Sequence, residues 1–272
     1  MTRWLKRLFR FFLLVFIVGA VGLIWLLSQR DTLIEAGTAI DEQRTIEQAV
    51  KGVEIATSRV DVKVMYSNIP TVRIGLVGKV SEEQRKQIQL QSEVKADGSL
   101  QVKVIEQQGA NLFFMGRSWL QLQVLLPETD DSYDRLQVKT DTGDVSIHTV
   151  SAKEGKVFSS TGDIDLLGFH GDTLEVKTET GDINLIDTQA AMQLTSTTGD
   201  VDVLNVPELL HALKVSTETG DVQITFAKQP AAVDLDLEAP IGDIEVGWTK
   251  GSYSVGGPTL SVKSSTGDIR IQ

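Results

Sequence analysis

From residue 138 onward, apolar side chains recur at fixed offsets around a Gly-Asp pair and alternate with polar ones. With the glycine as position zero, Val138, Val157, Val176, Leu194, Val215, Leu237 and Val262 stand five residues upstream. Val145, Ile164, Ile183, Val201, Val222, Ile244 and Ile269 stand two downstream. Ile147, Leu166, Leu185, Val203, Ile224, Val246 and Ile271 stand four downstream, with Ser146, Asp165, Asn184, Asp202, Gln223, Glu245 and Arg270 between the two columns. Period-two alternation rich in Val, Ile and Thr predicts strands with one buried and one solvated face. Each unit reads as strand, tight turn, strand.

The turns are Gly143-Asp144, Gly162-Asp163, Gly181-Asp182, Gly199-Asp200, Gly220-Asp221, Gly242-Asp243 and Gly267-Asp268, spaced 19, 19, 18, 21, 22 and 25 residues apart by subtraction. A period near twenty marks stacked supersecondary units, so the expected fold is an all-β solenoid, or β-helix, of repeated rungs. Glycine suits the turn because it adopts positive φ without a Cβ clash. The carboxylate after it has local backbone N–H groups within reach. Stacked rungs would bring neighbouring carboxylates about 4.8 Å apart, a repulsion of roughly 0.9 kcal/mol in water before screening. Hydrogen bonds or a cation must offset it. Calcium is the one cofactor that such a ladder suggests, although the nonapeptide signature G-G-x-G-x-D is absent; no other cofactor is expected.

Thr or Ser fills two more columns: Thr140, Ser159, Thr178, Ser196 and Thr217 at minus three, and Thr142, Thr161, Thr180, Thr198 and Thr219 at minus one. The sixth repeat replaces both with Ala239 and Ile241. Their parity with the apolar column predicts that both face inward, with hydroxyls bonded to nearby backbone.

Four segments follow from this pattern. Residues 1–30 make a cytoplasmic tail and membrane anchor, 31–51 a juxtamembrane stalk with partial helix, 52–135 a divergent β cap, and 136–272 the repeats. In the cap, Ser58 and Arg59 take the places of Gly and Asp in a degenerate first rung. Ser81 and Gln84 form a capping box for a short helix ending near Ile88. Strands are expected at 71–77, 99–106 and 119–126, the last ended by Pro127. Phe113, Phe114 and Trp119 read either as cap core or as a partner-binding patch. The connections lengthen along the chain, and the longest, Gly247 to Thr259, holds Trp248, Lys250 and Tyr253, candidates for contact with a partner. The final rung, which stops at Gln272, would leave an open edge that predicts weak self-association unless Arg270 and the long loop before the rung cover it.

The anchor rests on Phe11 to Leu27, uncharged and apolar, about 25 Å long as a helix and about 30 Å with Leu8 to Arg10 included. Arg3, Lys6, Arg7 and Arg10 precede it, while Arg30 and Asp31 nearly cancel behind it. The positive-inside rule then leaves the N-terminus in the cytoplasm and the remainder outside the cell. Small residues at Val18, Gly19 and Ala20 resemble a cleavage site. The apolar run continues past them, which favours a retained signal anchor over a cleaved peptide.

Beyond residue 30 the chain holds 26 − 5 = 21 basic and 37 acidic residues, a net charge of −16. That sign disfavours nucleic acid and anionic polymers. Without cysteine the chain has neither disulfides nor thiol chemistry. His148, His170 and His211 share no metal-ligand spacing, and no nucleophile elbow, phosphate loop or H-E-x-x-H occurs. No catalytic or metal site is expected, and the chain does not read as an enzyme.

The repeated L-x-V-x-[ST]-x-T-G-D-[IV]-x-[IV] pattern behind one anchor resembles the bacterial β-strand-repeat "putative adhesin" family of unknown function, which includes LiaG-like membrane-anchored proteins of Gram-positive bacteria. The resemblance covers roughly residues 52 to 272 and implies an extracytoplasmic β-solenoid associated with cell-envelope stress. It supplies no catalytic residues. The expected role is a non-enzymatic binding or scaffold module with an envelope-protein or cell-wall partner. The alternatives are an adhesin for a surface polymer and a calcium-stiffened spacer.

Overall fold

The structure, a computed structural model, describes residues 38–106, 119–128, 132–207, 209, 211–248 and 254–272. The expected membrane helix lies outside these residues. Among them, no helix is long and apolar enough to cross a membrane.

The first strands are β1 (Thr38–Ile46), β2 (Gly52–Thr57), β3 (Asp61–Ser67) and β4 (Val72–Val80). One helical turn and a half, α1 (Glu82–Gln87), leads to β5 (Ile88–Val94), β6 (Ser99–Glu106) and β7 (Trp119–Pro127). The capping box forms as expected: the Ser81 hydroxyl accepts from Gln84 N, and the Gln84 side chain accepts from Ser81 N. The stalk is different. Part of it is β1, antiparallel to β4, with Ile40 buried. Ile40 and Ile46 share one face in extended chain, and pairing with β4 selects the strand.

The repeats supply β8 (Tyr133–Thr142), β9 (Val145–Thr161), β10 (Ile164–Thr180), β11 (Ile183–Ile186), β12 (Gln189–Thr198) and β13 (Val201–Val206). They continue as β14 (Leu213–Thr219), β15 (Val222–Phe226), β16 (Ala232–Glu238), β17 (Ile244–Val246), β18 (Ser254–Thr266) and β19 (Ile269–Ile271). Strands before the Gly-Asp turns stack in parallel as one wall: β6, β2, β8, the second halves of β9 and β10, then β12, β14, β18 and β16. Strands after the turns stack as a second wall: β7, β3, the first halves of β9 and β10, then β11, β13, β15, β19 and β17. The architecture is β-solenoid-like, and the inward columns of both walls merge into one apolar core.

Spatial order departs from chain order at both ends. The β2–β3 rung lies between β6–β7 and β8–β9. The seventh repeat, β18–β19, lies between the fifth and the sixth. The open rung is therefore β16–β17, not the last rung in the chain. Arg270 does not guard an edge; it pairs with Asp268 at 2.8 Å.

The opposite end is closed. There β4 runs antiparallel to β7, with β1 outside it, and β5 runs antiparallel to β6. Arg44 of β1 reaches across to Leu90 O at 2.5 Å and Ser92 Oγ at 3.3 Å on β5. This tie joins the edges of the two walls.

Candidate functional site

Three bonds recur at the Gly-Asp corners from rung to rung. The glycine N–H donates to the minus-one carbonyl of the next rung, for example Gly162 N to Thr180 O at 2.9 Å. The minus-three hydroxyl donates back to the preceding glycine carbonyl: Ser159 to Gly143, Thr178 to Gly162, Ser196 to Gly181 and Thr217 to Gly199, all at 3.2 Å. The aspartate Oδ1 accepts the backbone N–H of the next rung's aspartate, at 2.7–3.1 Å, from Asp61 through Asp144, Asp163, Asp182, Asp200 and Asp221 to Asp268 and Asp243.

Three expectations change here. The aspartates bond to neighbouring rungs, not within their own turns, so each stacked carboxylate is met by a donor. The degenerate rung uses Val60 and Asp61, not Ser58 and Arg59, because Thr57 pairs with Thr140 and Val62 with Val145. The minus-one threonines face solvent, whereas the minus-three column is buried. The chain leaves the pleat as it enters the corner, so parity stops counting one residue early.

Among the described residues, no group of three or more His, Asp or Glu side chains is placed to hold a metal. Burial, with Asp200 and Asp182 nearby, holds the Asp202 carboxyl above the usual carboxylate range. His148 is half-buried, while His170 and His211 are exposed.

Of the candidate contact residues, only Trp119 and Trp248 are among the described residues, and they lie near opposite ends of the second wall. Phe113, Phe114, Lys250 and Tyr253 lie outside the described residues. Trp119 opens β7 and is 55% exposed, so it is not part of the cap core. Trp248 packs on Phe226 with ring centroids 5.4 Å apart, lying over the core beyond the end of β19. Its ring has a structural task.

A different surface emerges on the outer face of the second wall. Register aligns Arg73, Leu125, Met65, His148, Leu167, Ile186 and Leu204 across seven adjacent strands. Leu167 and Ile186 are 40% and 37% exposed. From Leu125 to Leu204 the row runs about 24 Å at ordinary strand spacing. At the cap end it opens into a groove of about 270 Å³ lined by Gln43, Thr45, Arg73, Gly75, Gln123 and Leu125. A Cβ on Gly75 would meet nothing within 4 Å, so the missing side chain leaves the groove open.

The sequence carried a signal for this row: Leu166-Leu167, Leu185-Ile186 and Val203-Leu204 are apolar pairs where alternation demands a polar second member. The next position explains the geometry. Thr149, Gly168, Asp187 and Asn205 all have φ between 51° and 71° and make a second corner, after which Val150, Phe169, Thr188 and Val206 turn inward.

Residues 50–272 match the family model described as Toastrack DUF4097. Among solved structures, one described as a "putative adhesin" from Bacteroides fragilis NCTC 9343 is similar with a TM-score of 0.53 at 16% identity, covering 86% of this chain and 97% of that one. A "putative cell adhesion protein" from Clostridium sporogenes ATCC 15579 is more distant, with a TM-score of 0.36 at 15% identity over 86% and 99% of the two chains. A "putative lipid binding protein" from Parabacteroides distasonis ATCC 8503 has a TM-score of 0.38 at 13% identity over 87% and 98%. At such identities the likeness is one of fold alone. No curated protein matches the chain.

Proposed function

The chain belongs to the Toastrack DUF4097 family, and from that premise we propose a non-enzymatic binding and scaffold module of the bacterial cell envelope. Its ligand is a protein, docked on the outer face of the second wall. The observation that carries this reading is the row of Leu125, Met65, Leu167, Ile186 and Leu204, interrupted only by the half-buried His148 between Met65 and Leu167 and ending in the Gly75 groove. Isolated exposed aliphatics are ordinary, but an aligned row of this length suits partner contact. A protein fits better than a surface polymer for two reasons. The row offers no aromatic platform for a sugar ring, and the net charge of −16 beyond residue 30 repels anionic polymers and lipids. The apolar run Phe11 to Leu27 supplies the anchor that would hold the module at the membrane, with the array outside.

The test is capture of membrane proteins by the full chain in detergent, compared with a Leu167→Asp/Ile186→Asp variant. Both positions are outward, so the variant is expected to keep its melting temperature and lose captured partner at least tenfold. Equal capture by the variant would reject this face. Saturable binding to purified cell wall, unchanged in the variant, would instead support the adhesin reading.

A further inference from the structure

The two ends of the array are unlike. Antiparallel strands, α1 and the Arg44 tie close the cap end. At the other end, among the described residues, β16 and β17 pair on one side only, with β18 and β19. An unpaired strand leaves alternate N–H and C=O groups directed away from the sheet. Apolar surface accompanies them: Ile241 is 66% and Ile244 44% exposed, and Leu235, Leu237 and Val246 are only partly covered. Ile241 belongs to the minus-one column, exposed in the other repeats too, but the columns of Leu237, Ile244 and Val246 are buried in the rungs below.

The polar face of this rung has one sign. Ala232 to Val246 contains Asp234, Asp236, Glu238, Asp243 and Glu245 and no Lys or Arg. On the covered side, β18 shows what fits against it. Lys263 Nζ reaches Glu238 Oε2 at 2.9 Å, Ser261 Oγ reaches Asp236 Oδ2 at 3.0 Å, and Leu260 and Val262 fill the inward positions between them. A strand alternating apolar with basic or hydroxyl residues thus already occupies one side.

We propose that β16–β17 binds an extended segment of a partner protein by strand addition, and that this segment alternates apolar with basic residues. The apolar side chains extend the columns above Leu235, Leu237 and Ile244. The basic ones stand over Asp234, Asp236 and Glu238, as Lys263 does from below. A second copy is the wrong occupant: two-fold pairing of β16 would set Asp236 against Asp236 and Asp234 against Glu238, and like charges directly opposite destabilise a sheet. The acidic face guards against self-pairing and selects a cationic strand. This surface lies at the end of the array, separate from the outer face of the second wall, and stands without that reading.

The test adds the synthetic peptide KVKVKVK to the full chain in detergent and follows amide hydrogen exchange. Protection confined to β16 and β17 is expected, with none from EVEVEVE. A backbone N-methylated KVKVKVK, charged alike but unable to pair, should bind at least tenfold more weakly. Glu245→Lys, on β17 and away from the Lys263 pair, should weaken the unmodified peptide about threefold or more. Protection elsewhere, or equal binding of the N-methylated peptide, would overturn the proposal. So would sedimentation of the untreated chain as a dimer with β16 already protected, because a second copy would then be the occupant.

Discussion

At the corner, one glycine per rung faces two independent demands. Its φ lies at 140° to 155°, and an added Cβ on Gly162, Gly181, Gly199, Gly220, Gly242 or Gly267 would come within 2.0–2.3 Å of a neighbouring glycine carbonyl. Gly181→Ala should therefore lose on the order of 3 kcal/mol in denaturant unfolding. Gly75→Ala, with open space around it, should be neutral or gain about 0.5 kcal/mol. Equal losses at both sites would contradict the packed corner. The hydroxyl column makes a second contrast. Thr178 donates to Gly162 O, whereas Thr140 Oγ1 is the buried side-chain atom without a partner among the described residues. Its equivalent acceptor, Val60 O, takes the Thr57 hydroxyl instead. Thr178→Val should lose about 1 kcal/mol, and Thr140→Val should lose nothing or gain a similar amount. Chemical denaturation of the two variants separates them.

Among elements, the arrangement of rungs is less regular than their sequences. From the sixth repeat to the seventh the chain moves back by one rung while circulating the same way, so this connection coils with the opposite hand to those before it. In the sixth repeat Ala239 removes the hydroxyl that would donate to Gly267 O in the rung below, as Thr217 does to Gly199 O, while Ile241 keeps the backbone bond from Gly267 N; nothing in the structure explains either substitution. A cysteine-free chain allows a direct check of this order. Lys214 pairs with Ser261, and Ser261 with Asp236, so Lys214 and Asp236 lie two strands apart, about 9.6 Å. Oxidised Lys214→Cys/Ser261→Cys should form an intramolecular disulfide, and Lys214→Cys/Asp236→Cys should not, since bridging fails beyond about 7 Å between Cα atoms. The opposite result would restore chain order. Elements of the cap were legible where their signals were local, as with the Ser81–Gln84 box and Pro127. The strand Thr38–Ile46 was not, because its partner is a strand some thirty residues on.

For the whole molecule, the row of carboxylates decides how a divalent cation would matter. Eight aspartates line one corner, from Asp61 to Asp243, and the seven with a neighbour above them each accept a backbone N–H. Those bonds offset the repulsion that a bound cation would otherwise relieve. The melting temperature of the full chain should thus be the same in calcium and in chelator; a rise of several degrees with calcium would revive the stiffened-spacer reading. The aliphatic row was legible only in part. Its members Leu167, Ile186 and Leu204 are visible as breaks in alternation, but Leu125 and Met65 come from the cap, distant in sequence.

By itself the amino-acid sequence determined where the chain turns, which columns face inward at minus five, plus two and plus four, and that the rungs repeat. These follow from the two-residue period of extended backbone and from the steric freedom of glycine, which act over a few neighbouring residues. Only the tertiary structure decided which rung lies on which, where the minus-one threonines point, whose N–H each aspartate receives, and which end stays open. Nearly identical rungs offer nearly identical backbone hydrogen bonds, so local pattern cannot rank their neighbours. That choice is made when whole strands meet and bury a shared core.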